Sequence, residues 1–500
     1  MVDDYRTLLL RAKDLMLWES IKNLMEWDYE TQMPQGGIEQ RSMQMALIEQ
    51  LIHRKWIDPE VKTLLTKVKK SPEYENFGAE DKRNVYFIQR LYDLETKLPD
   101  ELVEAIGKHA IVCNSAWKKA KAAKDFSMFK SDLEKMLDLL KKKAHYWAPD
   151  RDPYDALIDY YEPGATAATI GRVFEPLKNG LIPLIKKCVG SRNKADLSFI
   201  KRPVPVDVQR TISQKLMEFA KYDLKRGRLD ETEHPFTTGM YDDVRICTHY
   251  YETNLTASIF SVLHESGHAL YDQNLPSKSR YQPISRYCSM GIHESMSRFV
   301  ENVVGRSRDF WAYFLPVLNK ITSNTFNDVN LDMILRAVND VKPSKIRIQA
   351  DEVTYSLHII LRFEIEKELF AEKINVSELP EIWNEKMDRF LGIKIENDSE
   401  GVMQDTHWAN GYFGYFPDYA LGNVYDGMLI EAMERRIPRW REALARGDFS
   451  PAFSWLRENI CEKGNIMDSF DLVKTITGKD VDSQPFLRYL NEKMKPIYDL

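Results

Sequence analysis

From Tyr5 to about Trp147 the apolar residues recur at three- and four-residue spacing, as in Leu8, Leu15, Trp18, Ile21, Leu24 and Met25, and strand-like alternation is nearly absent. Such spacing gathers side chains on one helical face, so this part is predicted to be helix after helix. Turn signals are sparse. Met33-Pro34-Gln35-Gly36-Gly37 breaks the first helical stretch, Pro99 opens another helix, and Glu162-Pro163-Gly164-Ala165-Thr166 marks a turn before further helices. None has the character of a flexible linker, and no internal repeat or low-complexity tract interrupts the pattern. Average domain size would divide 500 residues into roughly three domains. The unbroken helical pattern instead predicts a mainly α chain forming one large helical body, residues 1–500. The clearest strand is Asp243–Tyr250, where β-branched and aromatic residues alternate with polar ones.

Charge and cysteines exclude several roles. The 70 basic and 76 acidic residues are interspersed and sum to a net charge of -6, which leaves no footprint for nucleic acid. Lysine runs such as Lys141-Lys142-Lys143 are solvated helix faces. No apolar stretch approaches the length needed to cross a bilayer, so no membrane partner is expected. The acidic start, Met1-Val2-Asp3-Asp4, does not resemble a signal peptide. Five cysteines without a CxxC pair point to reduced thiols, and the expected location is the cytoplasm.

The chemistry concentrates at His264-Glu265-Ser266-Gly267-His268. Two histidines four apart on a helix project from one face and can reach one tetrahedral ion, with the glutamate angled toward the open coordination position. Gly267 costs a helix about 1 kcal/mol relative to alanine, which makes sense where another backbone or a ligand approaches closely. A catalytic zinc needs a third protein ligand. A metzincin would carry glycine and histidine where this chain has Tyr271 and Asn274, so that solution is excluded. A carboxylate on a later helix remains. His293-Glu294-Ser295-Met296-Ser297-Arg298 starts one with Glu294, Arg298 and Glu301 on one stripe, making Glu294 the expected third ligand and Glu301 the fallback. The competing reading of Glu294 is an intrahelical ion pair with Arg298.

These residues resemble the carboxypeptidase Taq family of metallocarboxypeptidases over nearly the whole chain. The two metal motifs stand in the expected order. Around them lie His234-Pro235-Phe236, like the family's HPF block, and Asp243-Val244-Arg245, which opens its DxRxT block. Downstream, Ile346–Asp351 is like IRxxAD and Gly401–Trp408 is like GxxQDxHW. One departure is Cys247, where the DxRxT block has threonine, although Thr248 follows at once. The resemblance implies a helical body split by a deep active-site groove, with a small sheet beside the HExxH helix. Residues 1–150 would form part of the groove wall, and residues 230–425 the metal and substrate site. It also implies a homodimer that uses zinc, or cobalt in its place, to remove single residues from peptides with a free carboxyl terminus.

Within that scheme Glu265 is the expected general base. Tyr415 is favoured as the oxyanion donor, while Tyr412 and Tyr419 are expected to serve core packing. His234 and His407 are further donors to substrate or oxyanion, and Arg245 lies in a substrate-side block. Arg347 is the family-matched partner for the substrate carboxylate, which a guanidinium grips through two parallel hydrogen bonds. Asp351 would orient Arg347 or cap local packing, and Asp272 and Asp405 are candidate acceptors for ligand-histidine N–H groups. Two rivals stand beside this reading: an HExxH oligopeptidase cutting internally, and a helical binding protein with an inert motif.

Overall fold

The computed structural model describes residues 2–500. Among these residues twenty α-helices account for most of the chain, and one three-stranded sheet accounts for its regular extended structure. The amino-terminal periodicity becomes packing directly. Leu8, Ala12 and Leu15 of helix Val2–Thr31 meet Val61, Leu64, Leu65 and Val68 of helix Pro59–Lys70. Val85, Ile88 and Tyr92 of helix Ala79–Thr96 close this small apolar cluster. Each set repeats at three or four residues, so each helix presents one stripe. Asp58 starts the second of these helices by accepting from the Glu60 amide at 2.9 Å, ahead of Pro59 in the first turn.

The main core lies farther along the chain, around helices buried on nearly every side: Leu255–Gln273, Tyr355–Phe370 and Phe416–Arg436. Between the first and third of these runs the short helix Met290–Arg298, started by Ser289, whose hydroxyl accepts from the Ile292 amide at 3.1 Å. It widens into a π-helical turn at Phe299–Val304. Two glycines set how closely these helices pack. A Cβ on Gly267 would collide with the Met296 carbonyl and the Ser297 Cα, and one on Gly422 would lie 2.9 Å from the Ser295 amide nitrogen. The Glu294 segment is therefore held at backbone contact from both sides.

The sheet comprises β1 (Gly227–Glu231), β2 (Phe236–Met240) and β3 (Asp243–Thr248), in the order β1-β3-β2. β1 runs parallel to β3, with Gly227 opposite Val244; β2 is antiparallel to it, with Phe236 opposite Cys247 and Met240 opposite Asp243. The predicted strand is β3, ending two residues earlier than expected. β1 and β2 escaped sequence reading because each has five residues and no alternating apolar set: β1 buries only Asp230, and β2 is half-buried throughout. Thr248 ties the sheet to helix Leu255–Gln273 by donating to Ser261 Oγ at 2.9 Å, while Cys247 beside it is buried. All five cysteines are buried free thiols. No described helix is long and apolar enough to cross a membrane.

The contact at Gly267 yields a test of what the residue does. Gly267→Ala gains about 1 kcal/mol of helix propensity, yet the collision with main chain costs about 1–3 kcal/mol. The expected outcome is a lower melting temperature together with weaker metal binding, read by thermal denaturation and by metal titration. Unchanged metal affinity would show that this packing does not set the ligand geometry.

Candidate metal centre

His264 and His268 occupy successive turns of helix Leu255–Gln273, their ring centroids 4.8 Å apart. Glu294 faces them from the first turns of helix Met290–Arg298, with its Oε2 3.7 Å from Nε2 of His268. One ligand atom from each of the three lies within 4.8 Å of the others. Their side chains keep 20%, 14% and 11% exposure respectively, so solvent reaches the trio. Two imidazoles and a carboxylate form a borderline donor set that suits a divalent transition ion and leaves a position open. The electrostatics agree with a cation here. Burial and the neighbouring His293 and His264 hold His268 well below the usual histidine range, in its neutral ligating form. Burial works the same way on His264, but Glu301, Glu294 and Glu265 outweigh it and push that ring up.

Glu301 lies on the π-helical turn and accepts from Nδ1 of His264 at 2.9 Å. The fallback ligand thus sits behind a ligand, where it fixes the tautomer that leaves Nε2 available. Burial would raise its carboxyl, but Arg298, His264 and Arg306 hold it far below the usual range. The ion pair weighed against Glu294 as a ligand also forms: Arg298 Nε donates to Oε1 at 2.8 Å, leaving Oε2 toward His268. Asp272 does not reach a histidine of the trio. It pairs with Nε2 of His293 at 3.2 Å, and the His293 ring stacks on His268 with centroids 4.4 Å apart.

Glu265 is buried beside the trio, and burial pushes its carboxyl up. Its Oε2 accepts from the Thr237 hydroxyl at 2.6 Å, which leaves Oε1 without a hydrogen-bond partner among the described residues. Thr237 was not singled out in the sequence, because a threonine after an HPF block gains meaning only when β2 is placed against the helix.

A second cluster surrounds Arg347. Its Nε and Nη2 donate to Oδ1 of Asp405 at 3.1 and 3.0 Å, and Nη1 donates to the Tyr355 hydroxyl at 3.0 Å. Arg362 takes the other oxygen of Asp405, through Nε at 2.7 Å and also through Nη2. Asp405 therefore braces two guanidiniums and is not an acceptor for a ligand histidine. Asp351 caps the local turn, accepting from the amides of Val353 at 3.0 Å and Thr354 at 3.1 Å, and makes no bond to Arg347.

The aromatic loop differs from its expected division of roles. Tyr412 is 50% exposed and so is not a core residue. Tyr419 does pack against the main core as a partly buried ring, but its hydroxyl also lies 3.4 Å from Nε2 of His407, and the Arg347 guanidinium sits 5.0 Å from its ring centroid. Its ring is 5.2 Å from that of Tyr415, and the charge of Glu294 bears on both tyrosines. Burial pushes both hydroxyls up, so each remains a donor, whereas burial brings His407 down to about 4 and leaves it neutral. Glu366, unremarked in the sequence, anchors this loop by accepting from Trp408 Nε1 at 2.7 Å, the Gly414 amide at 2.9 Å and the Tyr154 hydroxyl at 2.9 Å. Two other expected site residues stand apart from these contacts. His234 is exposed in the β1–β2 connection and makes no hydrogen bond among the described residues. Arg245 is gripped by Asp243 at 2.7 and 2.9 Å and lies 4.1 Å from the Trp27 ring centroid, joining β3 to the first helix.

Similar proteins are found over almost the full length. The sequence profile of the carboxypeptidase Taq (M32) metallopeptidases matches residues 7–494. Thermostable carboxypeptidase 1 of Thermus thermophilus is 38% identical over 99% of both chains, and carboxypeptidase 1 of Bacillus subtilis is 37% identical over 95% of both. The crystal structure of the M32 carboxypeptidase from Deinococcus radiodurans superposes with a TM-score of 0.96 at 34% identity, covering 100% of each chain. The Pyrococcus furiosus carboxypeptidase gives 0.93 at 34% identity, over 98% of each. With the two-histidine, one-glutamate cluster on helices that follow these relatives from end to end, the chain belongs to the carboxypeptidase Taq (M32) family of metallopeptidases.

Proposed function

We propose that this protein is a zinc carboxypeptidase that removes single residues from the free carboxyl termini of peptides, with the whole chain acting as one catalytic body. The observation that carries the reading is Arg347. Of its five N–H groups, two are engaged by Asp405 and one by Tyr355, so one remains on each Nη. That pair can straddle a carboxylate. An internally cutting enzyme has no use for such a buried anchor.

His264, His268 and Glu294 would hold zinc, which supplies Lewis acidity and makes a water acidic enough near neutrality for a side chain to deprotonate it. Glu265 takes that proton on Oε1, the oxygen that Thr237 leaves free, and returns it to the departing amine. Thr237 prevents the carboxylate from rotating away. Tyr415 donates to the oxygen that gains charge at the scissile carbonyl, with Tyr419 beside it as a second hydroxyl donor and His407 fixing Tyr419. His234, exposed on the connection leading into β2, would serve as a further donor to the substrate or the oxyanion. Arg245 acts at second hand by holding β3 against the first helix. Cobalt would suit the same donors. The reduced thiols fit the cytoplasm.

A homodimer suits the amino-terminal helices. Leu17, Ile21 and Leu24 on helix Val2–Thr31, and Met43 and Leu47 on helix Ile38–Trp56, repeat at helical spacing and remain 37–68% exposed. A second copy would cover this stripe. Leu47→Glu is expected to move the protein from dimer to monomer in sedimentation analysis; a monomeric wild type would rule the dimer out.

The reaction is tested with one peptide supplied free, amino-blocked and carboxyl-amidated, its products read by mass spectrometry. Stepwise loss from the carboxyl end should survive the amino block, fall at least tenfold on amidation, and disappear and return as zinc is chelated and restored. Internal fragments from all three forms would indicate an oligopeptidase instead. Glu265→Gln should keep stoichiometric metal yet lose about 10²–10⁴ in kcat. Near-normal turnover in that variant would remove Glu265 as the base.

A further inference from the structure

Behind the metal centre, on the side of Glu301 away from His264, Arg306 bridges to a separate cavity of about 610 Å³. It lies between helix Leu331–Val338 and the carboxy-terminal helix Gln484–Tyr498, and its apolar lining includes Val303, Leu335 and Ile497. Most charges on its walls are already paired, Arg308 with Asp332 at 2.9 Å and Arg441 with Glu434 at 3.1 Å. Two are not. Among the described residues neither Arg336 nor Glu492 has a hydrogen bond or ion pair. Asn339, 4% exposed, ties the cavity wall together by donating through Nδ2 to the carbonyls of Arg306 and Leu335. The half-buried Arg336 guanidinium and the exposed Glu492 carboxylate, beside the apolar patch of Val303, Leu335 and Ile497, match a small zwitterion with an apolar side chain.

We infer that this cavity binds a free α-amino acid with an apolar side chain, its carboxylate on Arg336 and its ammonium on Glu492, and that occupancy is felt at the metal centre. The second half of the inference rests on the proposed function, in which such amino acids are the released product. The connection is short. Arg306 lines the cavity and donates to the Val338 carbonyl at 2.6 Å, to Asn302 Oδ1 at 2.9 Å and to Glu301 Oε1 at 3.2 Å. Glu301 accepts from His264 on its other oxygen. A ligand that draws helix Leu331–Val338 inward through Arg336 moves Arg306, and with it the carboxylate that orients a metal ligand. Coupling of this kind requires only that the ligand bind the two arrangements unequally.

The test uses the zinc-loaded full chain with L-leucine, in wild type, Arg336→Ala and Glu492→Gln. Binding is followed by ligand-observed NMR, and inhibition by peptide turnover at saturating peptide. Wild type should bind leucine but neither leucinamide nor 4-methylpentanoate at this site, and leucine should lower its kcat at least threefold. Each variant should keep the wild-type kcat and KM without leucine and require at least tenfold more leucine for the same effect. Equal leucine binding and inhibition in all three proteins would overturn the site, leaving only product in the catalytic centre. If leucine binds through Arg336 while peptides stay intact, the site stands and the functional reading fails; if peptides are trimmed but the variants respond like wild type, the site alone fails.

Discussion

The arrangement of this protein depends on one contact, the crossing of helix Leu255–Gln273 and helix Met290–Arg298 at Gly267. A metal site needs its ligands placed to within a fraction of an ångström. Two of the candidate ligands come from one of these helices and the third from the other, so their separation is set by how closely the main chains approach. With no side chain at position 267 the Met296 carbonyl can come against the helix. Gly422 allows helix Phe416–Arg436 to press from the opposite side, and the same helix carries Tyr419 in its first turn. Ligand geometry and the tyrosine hydroxyls are therefore referred to one packed stack of three helices rather than to loops.

That stack also explains how a site rich in charge can be buried. Glu265, Glu294 and Glu301 crowd the histidine pair, and burial works against the charge on Glu265 and Glu301. Arg298 answers two of these carboxylates, donating to Glu294 at 2.8 Å and lying 3.4 Å from Glu301. Arg306 answers the second again. The two guanidiniums leave the three acids one charge short of neutral, and a divalent cation reverses that balance.

Different parts of this arrangement were legible in the sequence for different physical reasons. The helical body and the HExxH helix follow from local periodicity, which needs no tertiary information. Gly267 was legible as a close approach because its cost to a helix calls for a reason, though not what approaches. Residues whose meaning depends on distant partners were read less well. Asp405 and Asp272 were both expected behind a ligand histidine; the first instead joins Arg347 to Arg362, and the second reaches only His293, a ring stacked on the ligand. Thr237 and Glu366 carry no pattern at all, and their roles arise from 28- and 48-residue separations to Glu265 and Gly414. Tyr419 was assigned to the core because an aromatic run reads as packing; its ring does pack there, but the start of a helix also turns its hydroxyl toward His407, which no local pattern announces.

Tyr355 spans the gap between the candidate metal centre and the proposed carboxylate anchor Arg347, and this bears on why single residues would be released. Its hydroxyl accepts from Arg347 at 3.0 Å, while the Arg298 guanidinium lies 4.1 Å from its ring centroid and bonds Glu294 in turn. One rigid aromatic ring thus separates the residue that grips Glu294 from the residue that would grip the substrate's end. Arg347 cannot swing to a longer substrate, because Asp405 holds it from behind and is itself held by the fully buried Arg362. Two guanidiniums against one carboxylate leave an excess positive charge in a site with little water, and such a charge is costly until an anion arrives. In the proposed reaction the peptide's terminal carboxylate supplies that anion. Binding energy is then recovered only when the chain end is seated, which places the same peptide bond at the metal in every turnover.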